Sequence, residues 1–374
     1  MKGQWRGRFK SGEDGGEIVV ELDEFSDNFR GHAFLYRPDG SLPCTLAVIR
    51  TPNEAATGRF QTQLYPLDAG SHEVVPWETM APKFPNVEWP PHAEVTYRWT
   101  DAQLNLNWKT AAGVAGQATI DRPDPSRASE LIPLAEVASW QDFKAFAVGL
   151  EYGRYVFRGQ AKPWRLRTSF HRTGRGDVWR YAFVDDIPTL HRNLSARTRH
   201  FYDLKDPEQN GAFYNLVQHH GYPTPLMDWT LSPFVGAFFA YHKIRVAETE
   251  AASADAKVRI FMFDERQWVD RWRQVPNLRS RHPHFSVLKP LAIGNERMVP
   301  QQALSTLTNI DDVEAYIRTK EVEAGTTYLQ AIDLPVLARH QVMRELSLMG
   351  ITAGSMFPGL DGACEELRER FFDI

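Results

Sequence analysis

The sequence predicts an α+β protein: an N-terminal antiparallel β-barrel or sandwich over residues 1–120, a linker over 121–130, and a mixed α+β domain over 131–374. Three observations predict it. Up to about residue 120, apolar residues recur at every second position between turn residues, the mark of strands with one buried face. The polar segment Asp121-Arg122-Pro123-Asp124-Pro125-Ser126-Arg127 then breaks that pattern with two prolines. Beyond it, capped helical spacing alternates with short apolar runs.

Taken in order, Ile18, Val20 and Leu22 mark a strand, and Phe29 to Tyr36 runs into the turn Pro38-Asp39-Gly40 and returns over Thr45 to Ile49. Val95, Tyr97 and Trp99, then Leu104, Leu106 and Trp108, form a second hairpin with one apolar face. Val114 to Ile120 follows with small residues suited to close packing. The opening Gly3-Gln4-Trp5 is similar to the start of lipocalin-like barrels, which implies a tryptophan closing one barrel end. Such an interior either fills itself with Phe34, Tyr97, Trp99 and Trp108, which is the expectation here, or holds a small ligand. After the linker, Ser139 caps a helix over Trp140 to Ala147, and Tyr155 to Gly159 is a short strand. Phe213 to Val217 is a helix closed by Gly221, and Ser232-Pro233 opens another through Tyr241. Val258 to Phe263 and Thr327 to Leu334 read as buried strands, and Pro335 opens a helix through Met349.

Composition bounds the function. Lys and Arg number 43 against 47 Asp and Glu, for a net charge of −4, which argues against a sequence-independent polyanion binder. Hydrophobic residues at 43% and charged residues at 24% suit a globular chain with a sizeable core. The two cysteines, Cys44 and Cys364, allow neither a disulfide framework nor a thiolate-rich zinc cluster. The start lacks an apolar signal core, and no run of about 18 apolar residues occurs, so a cytoplasmic protein without a membrane partner is expected. Aromatic residues, at 12%, are the compositional feature to explain.

Two local sequences carry chemistry. In His219-His220-Gly221-Tyr222-Pro223-Thr224-Pro225-Leu226-Met227-Asp228-Trp229-Thr230, two prolines stiffen a loop that offers a carboxylate, rings and a hydroxyl ahead of a helix. The plain alternative is that Asp228 or Thr230 caps that helix. In Phe157-Arg158-Gly159-Gln160, an arginine at a strand end can fork onto a phosphate while the glycine lets a ligand approach. Adjacent His219 and His220, even with His282 and His284, do not suit one metal ion, so no metal is expected. His220 is the candidate general base, weighed against a structural histidine. Arg279 to His284 reads as a basic surface loop with nucleic acid left open as a partner, and Glu321-Val322-Glu323 as a solvated face.

Tyr155 to Gln160, Leu166 to Arg172 and the block Gln218 to Ala240 resemble the FRG domain, named for its F/Y-R-G motif. So do Arg297 with Gln301 and the closing Met356-Phe357-Pro358-Gly359-Leu360-Asp361-Gly362, and the resemblance covers about residues 131–374. Ala303 and Ser305 stand where the family usually has glycine and phenylalanine. The order of parts is similar, more distantly, to that of ADP-ribosyltransferases. That resemblance implies NAD as cofactor. Arg158 would hold its pyrophosphate, Asp228 and Thr230 would bond ribose or carboxamide, and Trp229 or Tyr222 would stack on nicotinamide, with Gln160 and Thr224 completing the binding set. Gln301 occupies the position of the catalytic glutamate. Its amide brings no charge to an oxocarbenium-like transition state, so Asp228 would supply the charge, or the site binds a nucleotide without cleaving it. The function this implies is a bacterial effector, in a toxin or phage-defence setting, acting on a protein target and controlled by a β-barrel sensor. The alternatives are a binding module for a peptide or nucleic acid, and a nuclease using His219 or His220.

Overall fold

The computed structural model describes residues 1–372 except 13, 38, 39, 41, 54, 69, 72, 123, 125 and 126. Pro38 and Asp39 of the expected turn, and Pro123, Pro125 and Ser126 of the linker, lie outside the described residues. Eight strands close into an antiparallel barrel: β1 (Gly3–Ser11), β2 (Asp14–Glu24), β3 (Asn28–Tyr36), β4 (Cys44–Pro52), β5 (Thr57–Leu67), β6 (His92–Trp99), β7 (Gln103–Thr110) and β8 (Ala115–Asp121). Each pairs with the next, and β8 returns to β1 through Phe9 and Ala118. A short helix, α1 (Trp77–Met80), lies between β5 and β6. The inward positions follow the predicted alternation: Ile18, Val20 and Leu22, then Tyr97, Leu104 and Leu106. The small residues of β8 answer a packing need, since a Cβ on Gly116 would lie 2.3 Å from the Trp108 ring. Trp5 is fully buried, its indole N–H donating to the Met1 carbonyl at 2.8 Å. Phe34 departs from the expected interior set. It points outward, with Val19, Tyr36 and Leu46, because Ala33 and Leu35 take the inward positions on β3.

The outer wall of β1–β3 is covered by the second domain, which is why β2 is buried on both faces. Asp23 accepts the backbone N–H groups of Gly176 and Asp177 at 2.9 and 3.3 Å and the Arg175 guanidinium at 2.9 Å. Gln4 donates to the Asn309 carbonyl at 2.5 Å and accepts from the Asp311 N–H at 3.0 Å, and His32 meets Asp177 at 3.1 Å. The expected basic surface loop belongs to this interface. The Tyr36 hydroxyl donates to the Arg281 carbonyl, the Arg281 guanidinium lies 4.2 Å from the Trp179 ring centre, and His284 is buried.

Glu21 is buried in the same interface, accepting from Gln4 at 3.0 Å. Burial, then the charge of Asp177, holds its carboxyl well above the ordinary value. The folded state therefore keeps a proton that the unfolded chain releases, so this contribution is present below the ordinary carboxylate range and is lost as pH rises above it. Glu21→Gln keeps an acceptor and removes the titration. It is expected to melt close to wild type near about pH 4 and above wild type at about pH 8, read by calorimetry across pH.

The second domain is built on a six-stranded antiparallel sheet of β9 (Tyr155–Gln160), β10 (Leu226–Thr230), β11 (Lys257–Asp264), β12 (Phe285–Leu288), β13 (Ala303–Thr308) and β14 (Leu329–Pro335), in the order β12-β13-β10-β9-β11-β14. Its helices are α2 (Trp140–Gly149), α3 (Ser169–Arg172), α4 (Val178–Phe183), α5 (Asp186–Leu194), α6 (Pro207–His219), α7 (Pro233–Tyr241), α8 (Val246–Glu250), α9 (Glu265–Arg271), α10 (Val313–Ala324), α11 (Arg339–Leu348), α12 (Ala353–Met356) and α13 (Leu360–Phe372). One apolar cluster joins α2, α7 and α11 to Phe157, Ile260 and Ile332. A second joins α9 and α10 to Val156, Trp229 and Phe263.

Ser139 caps α2 in a reciprocal box with Asp142, as its position predicts. Other expectations are corrected. Residues 226–230 form a strand, not a loop, because Pro223 and Pro225 precede β10 and leave its ladder with β13 intact. Ser232, rather than Asp228 or Thr230, caps α7. Glu321 is not simply solvated: on α10, it accepts the N–H groups of Tyr328 and Leu329 at 2.7 and 2.8 Å and so fixes the start of β14.

Candidate functional site

At the centre of the sheet, β9 and β10 pair through a single step, Phe157 with Thr230. The ladder goes no further, and residues 157–160 and 228–230 instead line a cleft of about 1400 Å³. Arg158 bridges the gap, its guanidinium donating to the Asp228 carbonyl at 2.6 Å. Gly159 serves packing, not ligand approach: a Cβ there would lie 2.0 Å from the Gly236 carbonyl oxygen of α7. Helix and strand thus meet at backbone distance, and this fixes the wall of the cleft that carries Arg158.

Asp228 is open to water on the cleft side and walled by protein on the others. Burial raises its carboxyl above the ordinary value, opposed by Arg158, by a hydrogen bond from Gln218 and by Arg172. Gln218 on α6 donates to Asp228 Oδ1 at 2.5 Å, and the Thr224 hydroxyl donates to the Gln218 side-chain oxygen. The amide oxygen is thereby fixed on the threonine and the amide nitrogen on the carboxylate. Behind Asp228 stands Ser305, to which Asn215 donates at 3.3 Å, and Asn295 donates in turn to Asn215.

Three guanidinium groups line the cleft: Arg158, Arg172 and Arg297. Among the described residues, none of them has a carboxylate within ion-pair distance. Burial pushes Arg158 down to about 10 and lowers Arg172, whose neighbour Arg167 adds repulsion. Both remain cationic at neutral pH. Arg297 lies 5.0 Å from the Phe357 ring centre, and its Nε is buried without a hydrogen-bond partner.

The other expected site residues divide. Gln301 lines the cleft, but its amide N–H donates to the Met356 carbonyl at 2.8 Å and so ties the closing motif to the site. The next residue, Gln302, has φ of 46°, a left-handed backbone that costs a non-glycine residue energy. Thr230 donates to the Gln301 carbonyl at 2.7 Å, which makes it a brace for this turn. Gln160 lines the cleft and donates to the Trp164 carbonyl at 3.4 Å.

Trp229 and Tyr222 are not placed as stacking rings. Trp229 alternates to the opposite side of β10 from Asp228, where its N–H donates to Thr306 at 3.0 Å within the apolar cluster. Tyr222 packs near Tyr181 and donates to Asp186 at 2.9 Å. Thr224 is buried and acts through Gln218. Of the two histidines, His219 lines the cleft, while His220 is exposed at the end of α6. Burial, Arg297 and His220 push His219 down to about 4, which leaves it neutral at physiological pH.

The sequence-level reading missed Gln218, Arg172 and Arg297 as site residues. Each stands in or beside a motif block, which is the signal that could have found them.

Residues 153–249 match the family model for the FRG domain. The chain carries an FRG domain. The matched segment runs from just ahead of β9 to the end of α8 and includes Arg158, Arg172, Gln218, Thr224 and Asp228, whereas Arg297 and Gln301 lie beyond it. No curated protein and no solved structure matches the chain.

Proposed function

We propose that the FRG cleft binds a nucleotide, with NAD as the first candidate, its pyrophosphate held by Arg158 with Arg172 and Arg297. The observation that carries this reading is the convergence on one cleft of three guanidinium groups that, among the described residues, form no ion pair within 4 Å, with the Asp228 carboxylate as the nearby charge for Arg158 and Arg172. One carboxylate does not balance three cations, and an anionic ligand supplies the remaining charge and acceptors. Asp228, held in place by Gln218, provides the negative charge that an oxocarbenium-like transition state requires, so ADP-ribose transfer in a barrel-controlled effector is the reaction class to test.

Calorimetric titration of the full chain with NAD is expected to give saturable binding. Arg158→Ala should weaken it about tenfold to hundredfold, as expected for loss of hydrogen bonds to a charged group worth about 1.5–3 kcal/mol. Absence of binding and of a melting shift at millimolar NAD sinks the reading.

A second reading, binding without cleavage, is favoured by Gln301: its amide is committed to Met356 and it brings no charge. Asp228→Asn separates the two. Loss of NAD consumption with binding retained supports the enzyme, and absence of any consumption in wild type supports the binding module.

A further inference from the structure

We propose that one half of the barrel interior is a binding site for a small, uncharged apolar molecule the size of a substituted benzene. The two halves of the barrel are filled differently. At the end bearing the β2–β3 and β6–β7 turns, Trp5, Phe29, Trp99 and Leu104 pack together, with the Phe29 and Trp99 rings 6.1 Å apart. Towards the other end, the inward positions become small. Ala33 pairs with Ala47, and Ala93 pairs with Thr62. These short side chains leave a cavity of about 150 Å³, whose wall includes Ile49, Leu106, Trp89 and Trp108. A cavity of about this volume accepts a benzene-sized guest.

The Glu88 carboxylate in the lining is exposed, and the inner polar groups are already engaged. The Thr62 hydroxyl donates to the Val48 carbonyl at 2.6 Å, and the Trp89 N–H to the Leu64 carbonyl at 3.3 Å. Arg37 stands at the rim, beyond the end of β3, where it donates to the Pro43 carbonyl at 3.3 Å and lies 5.2 Å from the Phe9 ring centre. A guest is therefore met by hydrocarbon and ring faces, and an unpaired charge placed among them would be penalised. Filling the void restores dispersion contacts that the lining lacks.

The test uses the full chain with isotope-labelled tryptophan, toluene as the probe and the indole N–H signals as the readout. The signals of Trp89 and Trp108, assigned by Trp→Phe substitution, are expected to shift together and saturate at one equivalent. In Ala47→Leu, whose added methyl groups occupy the cavity, the shift should vanish while the remaining indole signals stay in place and report an intact fold. Ala33→Val serves as a second filling variant by the same criteria. The proposal is overturned if toluene leaves both signals unmoved, shifts them without saturation, or shifts them equally in wild type and in a filled variant that retains its spectrum.

Discussion

Gly159→Ala is expected to lower the melting temperature of the chain by roughly 4 °C, from an overpacking cost of about 3 kcal/mol and an unfolding entropy of about 2.1 cal/mol/K per residue in a single transition. The added methyl would sit 2.0 Å from the Gly236 carbonyl oxygen and 2.5 Å from the Ala240 nitrogen. Both are backbone atoms of α7, so no rotamer change relieves the clash, and either the helix or the strand must move. Movement of β9 also displaces Arg158, so NAD affinity should fall together with stability. Gly149→Ala is the control, because a Cβ there meets nothing within 4 Å. Differential scanning calorimetry of the two variants decides it. Equal melting temperatures for Gly159→Ala and wild type would falsify the backbone-contact account.

Asp23→Ala is expected to uncouple the two domains. Asp23 is buried and holds three donors from the second domain; Arg175 keeps Asp186 as a partner, but the two backbone N–H groups are left unpaired, at about 1–3 kcal/mol each. A single calorimetric transition should divide into two as the barrel loses its hold. The effect should also reach the cleft. The segment gripped by Asp23 follows directly on α3, and Arg172 at the end of α3 lines the cleft. At its other end, α3 is bonded to Thr224: Phe170 N–H and the Ser169 hydroxyl donate to the Thr224 carbonyl at 3.0 and 3.1 Å. Thr224 in turn orients Gln218 on Asp228. Weaker NAD binding in Asp23→Ala, at a temperature where both domains are folded, is the expected result. An unchanged affinity would show that the barrel wall does not position the site.

The barrel was legible because its strands alternate, and alternation is read without knowing partners. β5 escaped because its inward series Phe60, Thr62, Leu64 interrupts the apolar signal with a hydroxyl. On β3 two apolar series run side by side, since the outer wall is also covered, and period alone could not choose between Phe34 and Leu35. β10 was hidden by the prolines before it. Arg158 and Asp228 stood out through their motifs. The roles of Trp229 and Gly159 did not: which side of a strand a ring takes, and which neighbour comes close to a glycine, depend on the register of β10 and the path of α7. Arg172 and Arg297 come from segments far apart in the chain, and only tertiary folding makes them a set.

The single rung between β9 and β10 also bears on where the unit of folding lies. Within the matched segment 153–249, these two strands have only that rung in common, and their long ladders run to β11 and β13, both encoded after residue 249. The stretch that carries the family signature is thus a seam, closed only when later strands arrive from both sides. Excised alone, it would hold two bare strand edges and half a cleft. On a ribosome it must wait, unsealed, until β13 has emerged.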